Sequence, residues 1–235
     1  MSSSSRKPLL VSAGVAVAAL TLGVVSWQAT APADKPSGGS AASAPRNDPA
    51  AGLKALARRE AGDKLAVGSA DAPVVLIEYS DFKCGYCGKF ARDTEPELIE
   101  RYVHDGTLRI EWRNFPIFGA DSEAAAKAAW AAGQQDRFRQ FHEAAYADGA
   151  KEKGFGEARL LELARQAGVP DLERFKKDMA GEQAAAALRK DQDEGYAIGV
   201  TSTPSFLVNG RPIAGAQPIG AFTAAIAQAR AAAGK

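Results

Sequence analysis

Val74-Val75-Leu76-Ile77-Glu78-Tyr79-Ser80-Asp81-Phe82-Lys83-Cys84-Gly85-Tyr86-Cys87 is the stretch on which the fold turns. Its first half, introduced by Pro73, is a short, nearly continuous apolar run rich in β-branched residues, the pattern of a central strand buried on both faces. Residues 80–83 break the run, and the C-x-x-C follows at once, passing through Gly88-Lys89-Phe90-Ala91-Arg92 into helical spacing. A cysteine at such a strand-to-helix junction sits at a helix N-terminus, where unpaired N–H groups and the helix dipole favour negative charge. A free thiol, pKa about 8.5, is only a few per cent ionised at neutral pH, whereas cysteines in this setting fall to roughly 3.5–7.5. Cys84 is therefore the expected exposed, attacking sulfur, and Cys87, one turn further in, the buried sulfur that resolves a mixed disulfide. The residues alone leave two other uses open. One is a disulfide that braces the fold, poorly placed because so short a loop removes little chain entropy. The other is half of a metal site, for which His104 and His142 occur singly and no second C-x-x-C exists.

Downstream, Pro96 predicts a kink or restart before Glu97-Leu98-Ile99-Glu100-Arg101-Tyr102-Val103, and Gly106 a stop. Leu108-Arg109-Ile110-Glu111-Trp112 alternates apolar with polar and reads as a second strand one helix later, which makes a βαβ unit with parallel pairing. Residues 122–147 form an Ala-rich helical stretch with Ala129, Trp130, Gly133, Phe138, Phe141, Ala145 and Tyr146 at core spacing, and residues 157–167, 171–179 and 182–196 are further helices. Strand character returns at Pro204. Ser205-Phe206-Leu207-Val208, Asn209-Gly210 and Arg211-Pro212-Ile213 spell a two-residue hairpin whose second strand, carrying Pro212, belongs on an edge. A last helix over residues 219–232 turns Phe222, Ile226 and Ala229 inward, and Gly195, Gly199 and Gly215 fit turns and helix ends. The order βαβ, helices, ββα is a small α/β sheet with a helical insertion at about residues 120–198.

Upstream, the chain changes character. Arg6 and Lys7 precede an uncharged stretch over residues 8–33 whose apolar heart, residues 9–27, would be roughly 28 Å long as a helix. This predicts a signal anchor over residues 8–27, with residues 1–7 cytoplasmic and the remainder outside. Ala29-Thr30-Ala31 and Ala31-Pro32-Ala33 also have the form of a signal-peptidase site, so a secreted or periplasmic protein after cleavage is the alternative. Residues 28–63 read as an Ala/Pro/Ser/Gly tether ending in a short amphipathic helix within residues 48–60 that shows Leu53, Leu56 and Ala57 on one face. The folded domain is expected over residues 64–235. Over all 235 residues, 46% apolar and 24% charged is the composition of a chain that folds around a core. With 29 basic against 28 acidic side chains there is no electrostatic footprint for nucleic acid.

The run Asp81-Phe82-Lys83-Cys84-Gly85-Tyr86-Cys87 between strand and helix, the long helical insertion, and Thr203-Pro204-Ser205-Phe206 opening a closing hairpin resemble the DsbA-like branch of the thioredoxin superfamily, exported thiol–disulfide oxidoreductases. The resemblance covers about residues 64–235 and implies a thioredoxin-like fold with a helical insertion between the βαβ half and the C-terminal ββα half. It implies that Thr203-Pro204 is the cis-proline loop, lying beside the C-x-x-C and offering backbone hydrogen bonds to an extended substrate, with Gly85 and Tyr86 also facing substrate. It places Glu78 where the superfamily keeps a buried acid under the resolving cysteine; burial within an apolar run would raise its pKa and let it move a proton to or from Cys87. The implied partners are reduced or unfolded secreted polypeptides and a membrane redox protein that resets the pair, with the membrane itself contacted through the N-terminal helix. No cofactor is needed, because the electrons reside on the two sulfurs.

Gly85-Tyr86 departs from strongly oxidising members, which usually have a histidine between the cysteines, so an oxidase reading competes with isomerase or reductase, including service to cytochrome c maturation. A redox-inactive binding or chaperone module on the same fold is a third class. His104 reads as a solvent-facing residue near a helix end and His142 as part of a polar stretch of the insertion, neither with a catalytic role.

Overall fold

β2 (Val74–Ser80) is central because all seven of its residues are buried, leaving no face for solvent. The computed structural model, which describes residues 49–234, pairs it in parallel with β3 (Leu108–Asn114) and antiparallel with β4 (Ser205–Val208). Among the described residues the sheet has five strands in the order β1-β3-β2-β4-β5, with β1 (Ala66–Val67) and β5 (Arg211–Ala214) at the edges. β5 carries Pro212, as an edge strand can. β1, two residues set antiparallel to β3, is too short to show periodicity and has no counterpart in the sequence reading. The expected anchor over residues 8–27 and most of the tether lie outside the described residues. Among the described residues no helix is long and apolar enough to cross a membrane.

The chain leaves β2 through α2 (Gly85–Asp93), restarts at Pro96 within α3 (Glu95–Leu98), and closes with a π-helical turn (Ile99–Val103) before Gly106, at φ +77°, reverses it toward β3. One face of the sheet is filled by Val74, Leu76, Phe90, Leu98 and Phe206 against Phe222 and Ile226 of α9 (Ile219–Ala233). Between β3 and β4 stands the insertion: α4 (Ala120–Gly133), α5 (Phe138–Tyr146), α6 (Glu157–Gln166), α7 (Leu172–Ala180) and α8 (Glu182–Ala197). Its helices bury Phe141, Leu163 and Phe175 in a cluster that reaches Phe82 and Trp112 beside the sheet. The single stretch expected over residues 122–147 is two helices, broken where Asp136 takes φ +58°.

Packing adds three points to the sequence-based expectations. The helix within residues 48–60 is only α1 (Pro49–Lys54), yet Leu53, Leu56 and Ala57 pack against the side of the sheet formed by Val75, Ile77, Tyr79 and Leu207. The folded body therefore extends upstream of Lys64, into the span read as tether. Second, the alternation in β3 does not mark a solvent face, because all of its residues are buried. Its polar side is an ion network. Glu111 accepts from Arg109 Nε at 2.8 Å and Arg113 Nη2 at 2.9 Å, and from the backbone N–H groups of Arg58 at 3.0 Å and Arg59 at 2.8 Å. Arg58 also reaches Asp191 at 2.7 Å, and Arg113 reaches Glu194 at 2.9 Å, which joins this strap to α8. Third, Gly195, in the last turn of α8, is a packing position as well as a helix-end glycine. A Cβ there would stand 2.6 Å from Phe115 Cε2, so close packing on the residue after β3 requires the missing side chain.

Candidate active site

Ser80 ends β2, Asp81 to Lys83 turn the chain, and Cys84 becomes the N-cap of α2. The turn is organised by Asp81, which the sequence reading quoted but gave no role. One carboxylate oxygen accepts from Lys83 N–H at 2.8 Å; the other accepts from Ile117 N–H at 2.7 Å and Phe118 N–H at 3.2 Å, tying the loop after β3 to the approach to the cysteines. An aspartate whose carboxylate accepts from the N–H two residues on is the signature of such a side-chain turn. Phe82, fully buried, stacks on Tyr146 at 4.9 Å between ring centroids and contacts Trp112 at 5.3 Å, which fixes the turn against the insertion.

Both thiols are free. Cys84 Sγ accepts from the Cys87 N–H at 3.3 Å and donates its own proton to the carbonyl of Thr203 at 3.3 Å. Cys84 is only 4% exposed and Cys87 fully buried, so the expected contrast in exposure is small. The contrast in acidity is large. A hydrogen bond from the Cys87 thiol, acting against burial and helped by the Thr203 hydroxyl and the N–H groups of Cys87 and Tyr86, brings Cys84 down to about 6. Burial, followed by the hydrogen bond with Cys84 and the charge it carries, pushes Cys87 well above the ordinary thiol range. Thr203 Oγ1 is buried and has no partner in the reduced site, so its hydroxyl is free to turn to the thiolate when that forms. The Thr203–Pro204 peptide is cis, as the resemblance implied, and places Thr203 against Cys84.

Gly85 and Tyr86 form the outer rim, Tyr86 with 69% of its surface exposed. Next to Cys84 a small cleft runs between Gly85, Gly88, Arg92, Tyr146 and Lys151. Arg92 donates to the Tyr146 carbonyl at 2.7 Å across its floor, and a Cβ on Gly88 would come within 2.9 Å of that guanidinium.

Glu78 of β2 is 1% exposed, with neither carboxyl oxygen hydrogen-bonded. Burial first, then repulsion from Glu95 and Cys84, holds its carboxyl well above the usual range. Two further buried groups escaped the sequence reading. Glu95 of α3 pairs with Arg139 at 3.1 Å, and burial moves it up to about 7. His142, expected in a polar stretch, is 2% exposed and sits edge-on to Trp112 at 4.8 Å; burial, then the Arg139 charge, lowers it to about 3 and keeps it neutral. The signal for His142 was the helical spacing of Phe138, Phe141 and Ala145, which puts it on the inward face of α5. His104 is exposed and meets Glu100 at 3.1 Å. Among the described residues no three His, Cys, Asp or Glu side chains converge as a metal site.

A family profile described as thioredoxin matches residues 60–228. The probable disulfide bond formation protein D of Bacillus anthracis is 34% identical over 151 residues, 62% of this chain and 69% of that one. A Na(+)/H(+) antiporter, NhaA 3 of Salinispora tropica, is 34% identical over 164 residues, which are 69% of this chain; the chain thus spans about a quarter, 24%, of that relative's length. Among solved structures, oxidised BdbD from Bacillus subtilis superposes with a TM-score of 0.67 at 23% identity, covering 73% of this chain and 95% of that one.

Proposed function

The chain belongs to the thioredoxin family, and from that premise we propose that it is an extracytoplasmic thiol–disulfide oxidoreductase whose Cys84–Cys87 disulfide is given to reduced, unfolded polypeptides. The observation that carries this reading is the division of labour between the sulfurs: an acidic Cys84 at the N-cap of α2 against the Thr203 carbonyl, and a buried, weakly acidic Cys87 behind it. The relative in Bacillus anthracis, named for disulfide bond formation, supports the oxidising direction.

In the oxidised state a substrate thiolate attacks Cys84 Sγ; the Cys84–Cys87 bond breaks and Cys87 leaves as a thiolate, which takes the proton of the Glu78 carboxyl. A second substrate thiolate then attacks the substrate sulfur of the mixed disulfide. The substrate disulfide forms, and Cys84 departs as a thiolate, which its low pKa makes a good leaving group. Thr203-Pro204 and the exposed rim of Gly85 and Tyr86 hold the substrate in extended form during both attacks. Two electrons remain on the sulfurs after each turn, and a membrane redox partner removes them. Residues 8–27 supply the anchor that keeps the domain near that partner.

The equilibrium potential of the pair against glutathione tests the direction. With no histidine between the cysteines, the reduced form has the helix N-terminus and the Thr203 and backbone hydrogen bonds to stabilise it, and the expected potential is intermediate, about −200 to −120 mV. A value near about −270 mV, that of thioredoxin, would make the protein a reductase.

A further inference from the structure

The strap over residues 53–60 is held in place from two directions. Arg58 reaches Asp191 at 2.7 Å and Glu194 at 3.1 Å on α8, and Arg113 Nη2 donates to the Leu56 carbonyl at 3.2 Å. Leu53 is thereby set, half-buried, beside the sheet face of Tyr79, Val200 and Leu207. It does not close that face completely. Between Leu53 and the β4–β5 hairpin a groove remains, lined by Ile198, Val200, Leu207 and Pro212 and, toward the cis-proline loop, by Thr201 and Ser202. None of its lining residues is charged, although 24% of the chain is. The cleft beside Gly85 and Gly88, by contrast, carries Arg92, Asp148, Lys151 and Glu152.

The groove ends where the chemistry begins. Ser202 precedes Thr203, whose carbonyl lies 3.3 Å from Cys84 Sγ. The loop between is fixed: Val200 N–H donates to the Gly195 carbonyl at 2.9 Å, and Ser205 Oγ donates to the Ser202 carbonyl at 2.7 Å. An extended polypeptide advances about 3.3 Å per residue. A chain whose cysteine meets Cys84 and which follows the cis-proline loop therefore brings side chains about two or three positions away over Ser202, Thr201 and Val200. An uncharged, apolar lining favours an aliphatic or aromatic side chain there and leaves a charged one without a partner.

We propose that Leu53 is a specificity-determining residue for disulfide exchange: it forms the outer wall of a subsite that takes an apolar side chain of the substrate polypeptide, about two or three positions from the cysteine being oxidised. This rests on the reading of the protein as an oxidoreductase acting on polypeptides, and it brings part of the span read as tether into substrate recognition. Unfolded chains suit such a subsite, because the apolar side chains that folding will bury are still free to enter it.

The test uses the oxidised full-length protein and paired reduced peptides, each with two cysteines, that differ only in carrying leucine or serine at those flanking positions. Second-order rates of peptide oxidation are compared. Wild type should oxidise the leucine peptide about tenfold faster, the discrimination expected of one apolar side chain in an open pocket. Leu53→Ser should bring the ratio to about threefold or less by slowing the leucine peptide, and Leu53→Met should preserve it. Lys54→Ser, exposed on the same turn, should not change it. Equal rates in wild type overturn the subsite, and a full preference in a folded Leu53→Ser protein overturns the part given to Leu53. If wild type oxidises neither peptide, the oxidoreductase reading itself fails and the subsite with it. A second measurement needs no change in the strap: in the mixed disulfide trapped on Cys87→Ser, a photoreactive leucine analogue in the peptide should label Leu53, Ile198 or Pro212. Labelling confined to the Arg92 and Lys151 cleft overturns the proposal. So does an absence of labelling in a protein that sediments as a dimer, which would give the groove to a second copy of the chain.

Discussion

Cys84 and Cys87 are three residues apart and both nearly closed to solvent, yet their thiols move in opposite directions because different partners meet them. The Cys84 thiolate meets donors at the start of α2 and the Thr203 hydroxyl, whereas Cys87 is dominated by burial and by the hydrogen bond and charge of Cys84. Alkylation of the reduced protein should therefore show one thiolate titrating near 6 and none from Cys87 below alkaline pH, and Cys87→Ser should accumulate mixed disulfides that Cys84→Ser does not. Thr203→Val removes the hydroxyl beside the thiolate. A hydrogen bond to a charged group contributes about 1.5–3 kcal/mol, so the Cys84 midpoint should rise by roughly one to two units, as thiolate absorbance would report. Much of this was legible in the sequence, since a C-x-x-C after an apolar strand fixes which sulfur sits at the helix end. Glu95 was not. Nothing local marks a charged residue as buried when the helix that covers it comes from an insertion more than forty residues on, as α5 does for Glu95.

At the level of elements, β3 shows where a local pattern misleads. Leu108 to Trp112 alternates as a half-exposed strand would, but the polar side is closed by residues 53–59 and α8, and its charges are matched there. The cover is distant in sequence on both sides, so no window around β3 could have shown it. Hydrogen bonds from Arg109, Arg59 N–H and Arg113 overcome burial and hold Glu111 down to about 2. An unfolded glutamate titrates near about 4.3, so this carboxylate contributes its full stability above that pH and loses it as pH falls toward 2. Glu111→Gln leaves Arg109 and Arg113 short of their counter-charge and should cost about 3–5 kcal/mol at pH 7. The deficit relative to wild type should narrow as the pH is lowered through 4 toward 2, and thermal unfolding across that range checks it. By contrast, the Asn209-Gly210 turn, the edge position of β5 and the inward residues of α9 follow directly from sequence, because each depends on a few adjacent residues.

For the whole molecule, the order βαβ, helices, ββα carried the architecture, since connection lengths and strand types leave few ways to assemble it. The upstream limit of the body was not legible: residues 53–59 look like the end of a tether until the face they cover is known. The proposed topology, with Arg6 and Lys7 inside, has a direct test: protease added to intact cells or spheroplasts should digest the folded domain. Digestion only after lysis would reverse that topology. The insertion also sets a schedule. Chains are made from the N-terminus, and domains begin to fold as they emerge. Both sulfurs and the parallel pair of β2 and β3 are complete by Asn114, whereas Thr203, the wall on which Cys84 leans, is added only after every helix of the insertion. A half-made chain thus already has its reactive sulfur without the residues that screen and orient it, and the last strands to arrive convert a pair of ordinary thiols into a guarded one.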